Sequence, residues 1–167
     1  MIALVRVDNR LVHGQVLEAW VPRLGVDRIV IADDDAAASP LAQAAMTLAL
    51  PPELAGTVLP VARIGYAALA AGPGTVLLLF REVEGVARAV AAGLAPVMVR
   101  RVNVGNVHYS AGRRPVTPSV FLSAREVADL ERLEARGFEV DARAVPTDAA
   151  VGVRELRRLY DAAAGKG

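Results

Sequence analysis

The run Thr75-Val76-Leu77-Leu78-Leu79-Phe80 constrains this chain more than any other stretch. It is apolar at consecutive positions, without alternation. A strand with one wet face alternates, so a run like this one needs cover on both faces, as in the middle of a parallel sheet. Gly72-Pro73-Gly74 before it ends a short helix at 64–71.

The rest of the chain repeats the theme. Residues 2–7, 27–32, 57–62, 97–102, 116–122 and 138–145 also read as strands. Arg100-Arg101 interrupts the fifth strand in chain order, and Pro118 inside the sixth demotes it toward an edge. Between strands lie helical segments at 14–24, 39–50, 64–71, 82–92, 123–136 and 148–164. Pro22 should kink or stop the first. Ser39-Pro40 opens the second as N-cap and first helical residue. Ser123 and Glu126 have the spacing of a capping box. Gly165-Lys166-Gly167 is expected to fray. Strand and helix alternate about six times, which predicts an α/β fold: a doubly wound, mostly parallel sheet of about six to seven strands with helices on both faces. The 167 residues suit one domain with a full core, and no linker or repeat divides them.

Composition excludes several classes. Nineteen basic residues balance eighteen acidic ones, for a net charge of +1, so there is no global signal for nucleic acid or anionic lipid. There is no cysteine, hence no disulfide or thiolate chemistry. No apolar run is long enough to cross a bilayer, and the first residues do not read as a signal peptide. The expectation is a soluble cytoplasmic protein that meets a membrane only through partners. Neither a dinucleotide fingerprint nor a Walker A sequence is present, and Ser110 has no hydrolase motif around it.

Ligands of such sheets sit where strands end and helices begin. The first such loop runs from Asp8 to His13, and His13 is one of two histidines. A helix start favours neutral imidazole, the nucleophilic form, and its free N–H groups suit a phosphoryl group. Arg10 offers a fork matched to phosphate oxygens. Gly14 lets backbone come close. Gly14, Gln15 and Asp8 are therefore candidates for phosphate binding beside a His13 nucleophile and a stabilising Arg10. Asp8 either orients one imidazole nitrogen or pairs with Arg6 or Arg10. On residues alone, the alternative for His13 is a capping or hydrogen-bonded loop residue. His108 reads as a structural loop residue, with a metal or second phosphosite as the alternative. Asp33-Asp34-Asp35 reads as a capping or solvated start of a helix, with Mg²⁺ binding as the alternative. No metal site and no cofactor is expected. Arg100-Arg101 and Arg113-Arg114 are either a basic surface for an acidic partner or ordinary solvated charge. Trp20 belongs to the core or to the lip of the site.

The sequence from Arg6 to Val16, RVDNRLVHGQV, followed by a helical Trp20, resembles the N-terminal signature of the mannose/fructose/sorbose-type IIB components of the bacterial phosphotransferase system. IADDDAAASP at 31–40, the Ala-Met-Pro-Pro neighbourhood at 45–52, NVGNVHYSAG at 103–112 and FEVDARAVP at 138–146 resemble later family segments in the same order. The resemblance implies that a IIA partner donates a phosphoryl group from a phosphohistidine onto His13. Arg10 steadies the group, and membrane IIC and IID components hold the sugar that receives it. Such a donor requires no Mg²⁺. The resemblance also implies that the last strand of the sheet runs antiparallel. A regulatory phosphoacceptor of the same chemistry, and an anion-binding module of the same fold, are the alternatives. The sequence departs from the family at Gly105-Asn106, where two glycines are common; Asn tolerates a left-handed turn, so the turn is expected to survive. The sugar and the oligomeric state are not legible.

Overall fold

The computed structural model describes residues 1–164, so the fraying expected of Gly165-Lys166-Gly167 lies outside the described residues. Nine strands form in chain order: β1 Ile2–Asp8, β2 Arg28–Ala32, β3 Ala55–Leu59, β4 Val76–Phe80, β5 Arg101–Asn106, β6 Arg114–Thr117, β7 Val120–Leu122, β8 Glu139–Ala142 and β9 Val151–Gly152. The helices are α1 Val21–Leu24, α2 Asp34–Ala38, α3 Pro40–Leu48, α4 Tyr66–Ala71, α5 Val83–Ala91, α6 Ala124–Ala135 and α7 Val153–Ala164. A π-helical turn, Val16–Trp20, leads directly into α1.

Seven strands form one sheet in the order β3-β2-β4-β1-β5-β8-β9, parallel throughout except for β9. The apolar run forms β4 from Val76 to Phe80. Every residue of the strand is buried, between β2 and β1, as the lack of alternation requires. β1 sends its connection to β2 on one side, and β4 sends its connection through α5 to β5 on the other. The carboxyl ends of β1 and β4 therefore meet at a switch point, where a crevice opens.

Alternation along β1 sorts the two faces. Val5 and Val7 join the larger apolar cluster with Val102, Val104, Val140 and the faces of α5, α6 and α7. Leu4 joins the smaller one with Ile29, Ile31, Leu77, Leu79, Val16 and Trp20. Arg6 and Asp8 share the parity of Leu4 and are fully buried beneath the first helical segment.

Several boundaries differ from the sequence expectation. The fifth strand starts at Arg101, and the polar stretch Asn103-Val104-Gly105-Asn106, beyond the strand expected at 97–102, forms its body. Local propensity argues against Asn and Gly in a strand. Here Asn103 is satisfied through its side chain, which accepts from Arg6 Nη1 at 2.5 Å and donates to Asp141 Oδ1 at 2.8 Å. No left-handed turn forms at Gly105-Asn106. The strand expected at 116–122 is instead a hairpin, β6 with β7, turning at Pro118-Ser119, because proline supplies no N–H for a continuous ladder. The expected last strand becomes β8, parallel to β5. The antiparallel strand is the short β9, inside the segment expected as helix, so α7 starts at Val153. Strand β3 ends at Leu59, before Pro60. Pro22 sits in the first turn of α1, just after the π-helical turn; the wider turn absorbs its missing donor without ending the helix. Ser123 and Glu126 form the expected capping box.

Candidate functional site

β1 delivers Asp8 to the carboxyl edge of the sheet, and the chain then turns sharply. Leu11 N donates to Asp8 O at 2.9 Å. Leu11 takes φ 55°, the left-handed region, and among the described residues no other non-glycine does so. That conformation costs about 1–2 kcal/mol for an L-residue. The Leu11 side chain is completely buried beside Trp20 and Val16, which contributes about 2 kcal/mol and offsets the strain. The peptide is thereby bent so that His13 returns above Asp8. Gly14 begins the helix, and Val16 N and Leu17 N donate back to His13 O at 3.0 and 3.1 Å. The first N–H groups of the helix have no such intrahelical partner.

Asp8 is the hub. Its Oδ2 accepts from Arg6 Nη2 at 2.8 Å and lies 2.9 Å from His13 Nε2. Its Oδ1 accepts from the Arg10 N–H at 3.1 Å and from Arg10 Nε at 3.3 Å. The two pairings left open by the sequence and the orientation of the imidazole therefore coexist. Burial works against the Asp8 charge, but the Arg6 guanidinium, the His13 contact and the Arg10 N–H outweigh it. The carboxyl sits below its usual range. At His13, burial disfavours the charged ring. Asp8 pulls the other way, Arg10 and Arg6 push with burial, and the net shift is downward. The neutral ring donates from Nε2 to the carboxylate, which leaves the lone pair on Nδ1. Arg10 is half-exposed, and its Nη2 donates to Gln15 Oε1 at 2.8 Å.

The model of the phosphotransferase-system sorbose subfamily IIB component matches residues 2–164. The chain belongs to that family. Its IIB relatives include the N-acetylgalactosamine-specific phosphotransferase enzyme IIB component 2 of Escherichia coli (strain K12), 32% identical over 156 residues, which are 93% of this chain and 98% of that protein. The mannose-specific EIIAB component of the same strain is 32% identical over 163 residues, 96% of this chain but 50% of that protein. This chain thus spans about half the length of that relative. The crystal structure of the IIBSor domain of the sorbose permease from Klebsiella pneumoniae superposes with a TM-score of 0.83 at 26% identity, over 95% of this chain and 97% of that one. IIB components are phosphotransferase subunits, and this chain is a IIB component of the sorbose/mannose type.

Sequence reasoning missed two parts of this IIB component's site. The first is its floor. Arg6 is buried within β1, and its guanidinium also donates to Ala144 O at 3.1 Å and lies 5.1 Å from the centre of the Trp20 ring. Trp20 Nε1 donates to Ala144 O at 3.0 Å, so Trp20 is core, and it roofs the arginine beneath His13. An arginine in an otherwise apolar strand was the available signal. The second part is Asn9. It donates to Arg81 O at 2.8 Å and to Glu82 Oε1 at 3.0 Å, and accepts from the His108 N–H. It ties the loop to the ends of β4 and β5.

The other candidates lie around this crevice. Asp33 caps α2, accepting from Ala36 N at 2.7 Å, and holds Arg81 at 2.7 Å; Asp34 accepts from Val61 N at 2.8 Å. These are capping and anchoring roles. Among the described residues no group of three or more His, Asp or Glu side chains is arranged to hold a metal ion. His108 is exposed, with Nε2 3.2 Å from Asn106 Nδ2. Arg113 is mostly buried and donates to Glu82, Glu126 and His108 O, so it braces the loop. Arg114 packs on Tyr160, 4.5 Å from the ring centre, and Arg100 pairs with Glu139 at the surface. Ser110 is exposed.

Proposed function

We propose that this protein carries a phosphoryl group on His13, taken from a phosphohistidine of a IIA partner and passed to a sugar held by membrane IIC and IID components. The whole chain would act as one IIB unit on the cytoplasmic side, reaching the membrane through those partners. Among the described residues no helix is long and apolar enough to cross a membrane, which fits that arrangement. The observation that carries the reading is the contact of 2.9 Å between Asp8 Oδ2 and His13 Nε2.

That contact fixes the tautomer. Nδ1 keeps its lone pair and attacks phosphorus. The bond from phosphorus to the donor's ring nitrogen breaks, and the electron pair returns to the donor ring. The ring, still protonated at Nε2, becomes positively charged, and the Asp8 carboxylate it faces balances that charge. In the second transfer a sugar hydroxyl attacks, the P–N bond to Nδ1 breaks with its electron pair returning to His13 as the Nδ1 lone pair, and the hydroxyl proton passes to water. Phosphoryl transfer asks mainly for position and charge stabilisation. Asp8 is taken up by Arg6, Arg10 and His13, so it orients the ring, and Gln15 orients Arg10. The remaining Arg10 Nη1 and the first helical N–H groups are the donors left for phosphoryl oxygens. Nothing inside the fold demands glycine at position 14: a Cβ there would come only within 3.7 Å of Glu18 Oε1. Open space for an incoming group accounts for it.

The test is intact mass after incubation with phosphoenolpyruvate, the two general phosphotransferase proteins and a cognate IIA, at mildly basic pH. One added phosphoryl group is expected on the wild type and on His108→Ala, and none on His13→Ala. An unmodified wild type beside phosphorylated IIA refutes the proposal.

A further inference from the structure

The two faces of the sheet are covered unequally. On the Trp20 face the apolar cluster stops at β1. Beyond it the residues of the same parity on β5 and β8 are Arg101, Asn103, Gly105, Glu139 and Asp141, and no apolar residue of those strands joins that cluster. A pocket of about 430 Å³ opens there, between the end of α1 and the chain after β8. Trp20, Arg23, Leu24, Arg101, Arg143 and Pro146 line it.

Three arginines thus converge on one concave site. Arg143 pairs with Asp141 at 3.0 Å and lies 5.9 Å from the Trp20 ring centre. Arg23 and Arg101 have no carboxylate within ion-pair distance among the described residues. Arg23 has an ordinary explanation, because a cation in the last turn of a helix complements its dipole. Arg101 has none of that kind: it is half-buried on a strand and loses hydration without gaining a counter-ion. With one carboxylate against three guanidinium groups, the site lacks about two negative charges.

We infer that this pocket binds the phosphate group of a small phosphomonoester. Such a group carries about two negative charges near neutral pH and presents oxygens that match guanidinium forks. A half-open pocket of this volume suits a ligand of sugar-phosphate size more than an extended polyanion. The site is separate from His13 and stands or falls independently of the phosphocarrier reading. A hexose phosphate and free inorganic phosphate share the recognised chemistry.

Trp20, the chain's single tryptophan, lies between this pocket and Arg6 beneath His13, so its fluorescence responds to binding at either site and the variants below separate them. Inorganic phosphate and glucose 6-phosphate are titrated at fixed ionic strength, with chloride as the control anion and oligoglutamate as an acidic peptide. Saturable quenching or enhancement with either phosphate is expected, and absent with chloride. Arg23→Gln and Arg101→Gln should each weaken binding about tenfold or more, whereas Arg10→Gln should retain it. Tighter binding of the ester identifies the sugar phosphate as the ligand, and equal binding identifies the phosphate group alone. Amide chemical-shift changes in the wild type, clustered at Arg23, Arg101 and Arg143, support the site without any variant. The inference is overturned if neither phosphate gives a saturable response in fluorescence or shifts. It is equally overturned if Arg10→Gln removes the response while Arg101→Gln keeps it, or if oligoglutamate binds and phosphate does not compete.

Discussion

Gly105 lies against the guanidinium of Arg6 so closely that a Cβ at position 105 would overlap it. Both residues are buried, and Arg6 has no other place to go, because its guanidinium is held by Asp8, Asn103 and Ala144 O. Gly105→Ala should therefore lower stability by about 3 kcal/mol, combining overpacking with damage to a buried ion pair. Urea denaturation measures it. A loss under about 1 kcal/mol would show that Arg6 can move aside.

Asp8→Asn keeps the shape of the hub and removes its charge. Arg6 is then left buried without a counter-ion, at a cost of about 3–5 kcal/mol. His13→Ala should cost about 1–2 kcal/mol while abolishing phosphoryl acceptance, since the ring is largely buried against Asp8 but outside the apolar core. Denaturation curves and mass spectra on the two variants separate the stabilising role of Asp8 from the chemical role of His13.

Arg10 is half-exposed, and its pairing with Asp8 is partly screened by solvent. Arg10→Ala should change stability by about 1 kcal/mol at most but slow phosphorylation by about a hundredfold, the usual penalty for losing one charge-stabilising donor. Quenched-flow phosphorylation from IIA is the measurement. An unchanged rate would remove Arg10 from the site.

Acid should weaken the fold in two stages. The His13 pKa is below its ordinary 6.5 in the folded protein, so the native state binds fewer protons than the unfolded chain between those values. Its contribution is complete above pH 6.5 and is lost as pH falls through the native value. The Asp8 pKa is below its ordinary 3.8, so its contribution is complete above that pH and lost as pH falls through its own lower native value. Melting temperature against pH, compared with His13→Ala, isolates the first stage. A ring titration by NMR in His108→Gln, where His13 is the only histidine, should give a midpoint under 6.5.

The parts legible in the sequence were those whose causes are local. An unbroken apolar run became β4, and Ser123 with Glu126 became a capping box, because the relevant partners lie within a few residues. Asp8, Arg10, His13 and Gln15 come together because all belong to one turn. The strand status of Asn103 was not legible, since the groups that satisfy it, Arg6 and Asp141, are 97 and 38 residues away. Nor was the hairpin at Pro118, because one proline signals either an edge strand or a turn until the pairing is known. The roof that Trp20 makes over Arg6 joins a strand to a helix, and no periodicity encodes it.

Leu11 has a consequence for how the protein meets others. Its backbone is held in an unfavourable twist by its own side chain, which is locked in the core beside Trp20. The bend that lifts His13 is thus set when the chain folds, before anything docks. A visitor finds the imidazole already aimed, and no rearrangement has to be repeated at each encounter. With the loop preset, binding free energy is not diverted into reshaping it.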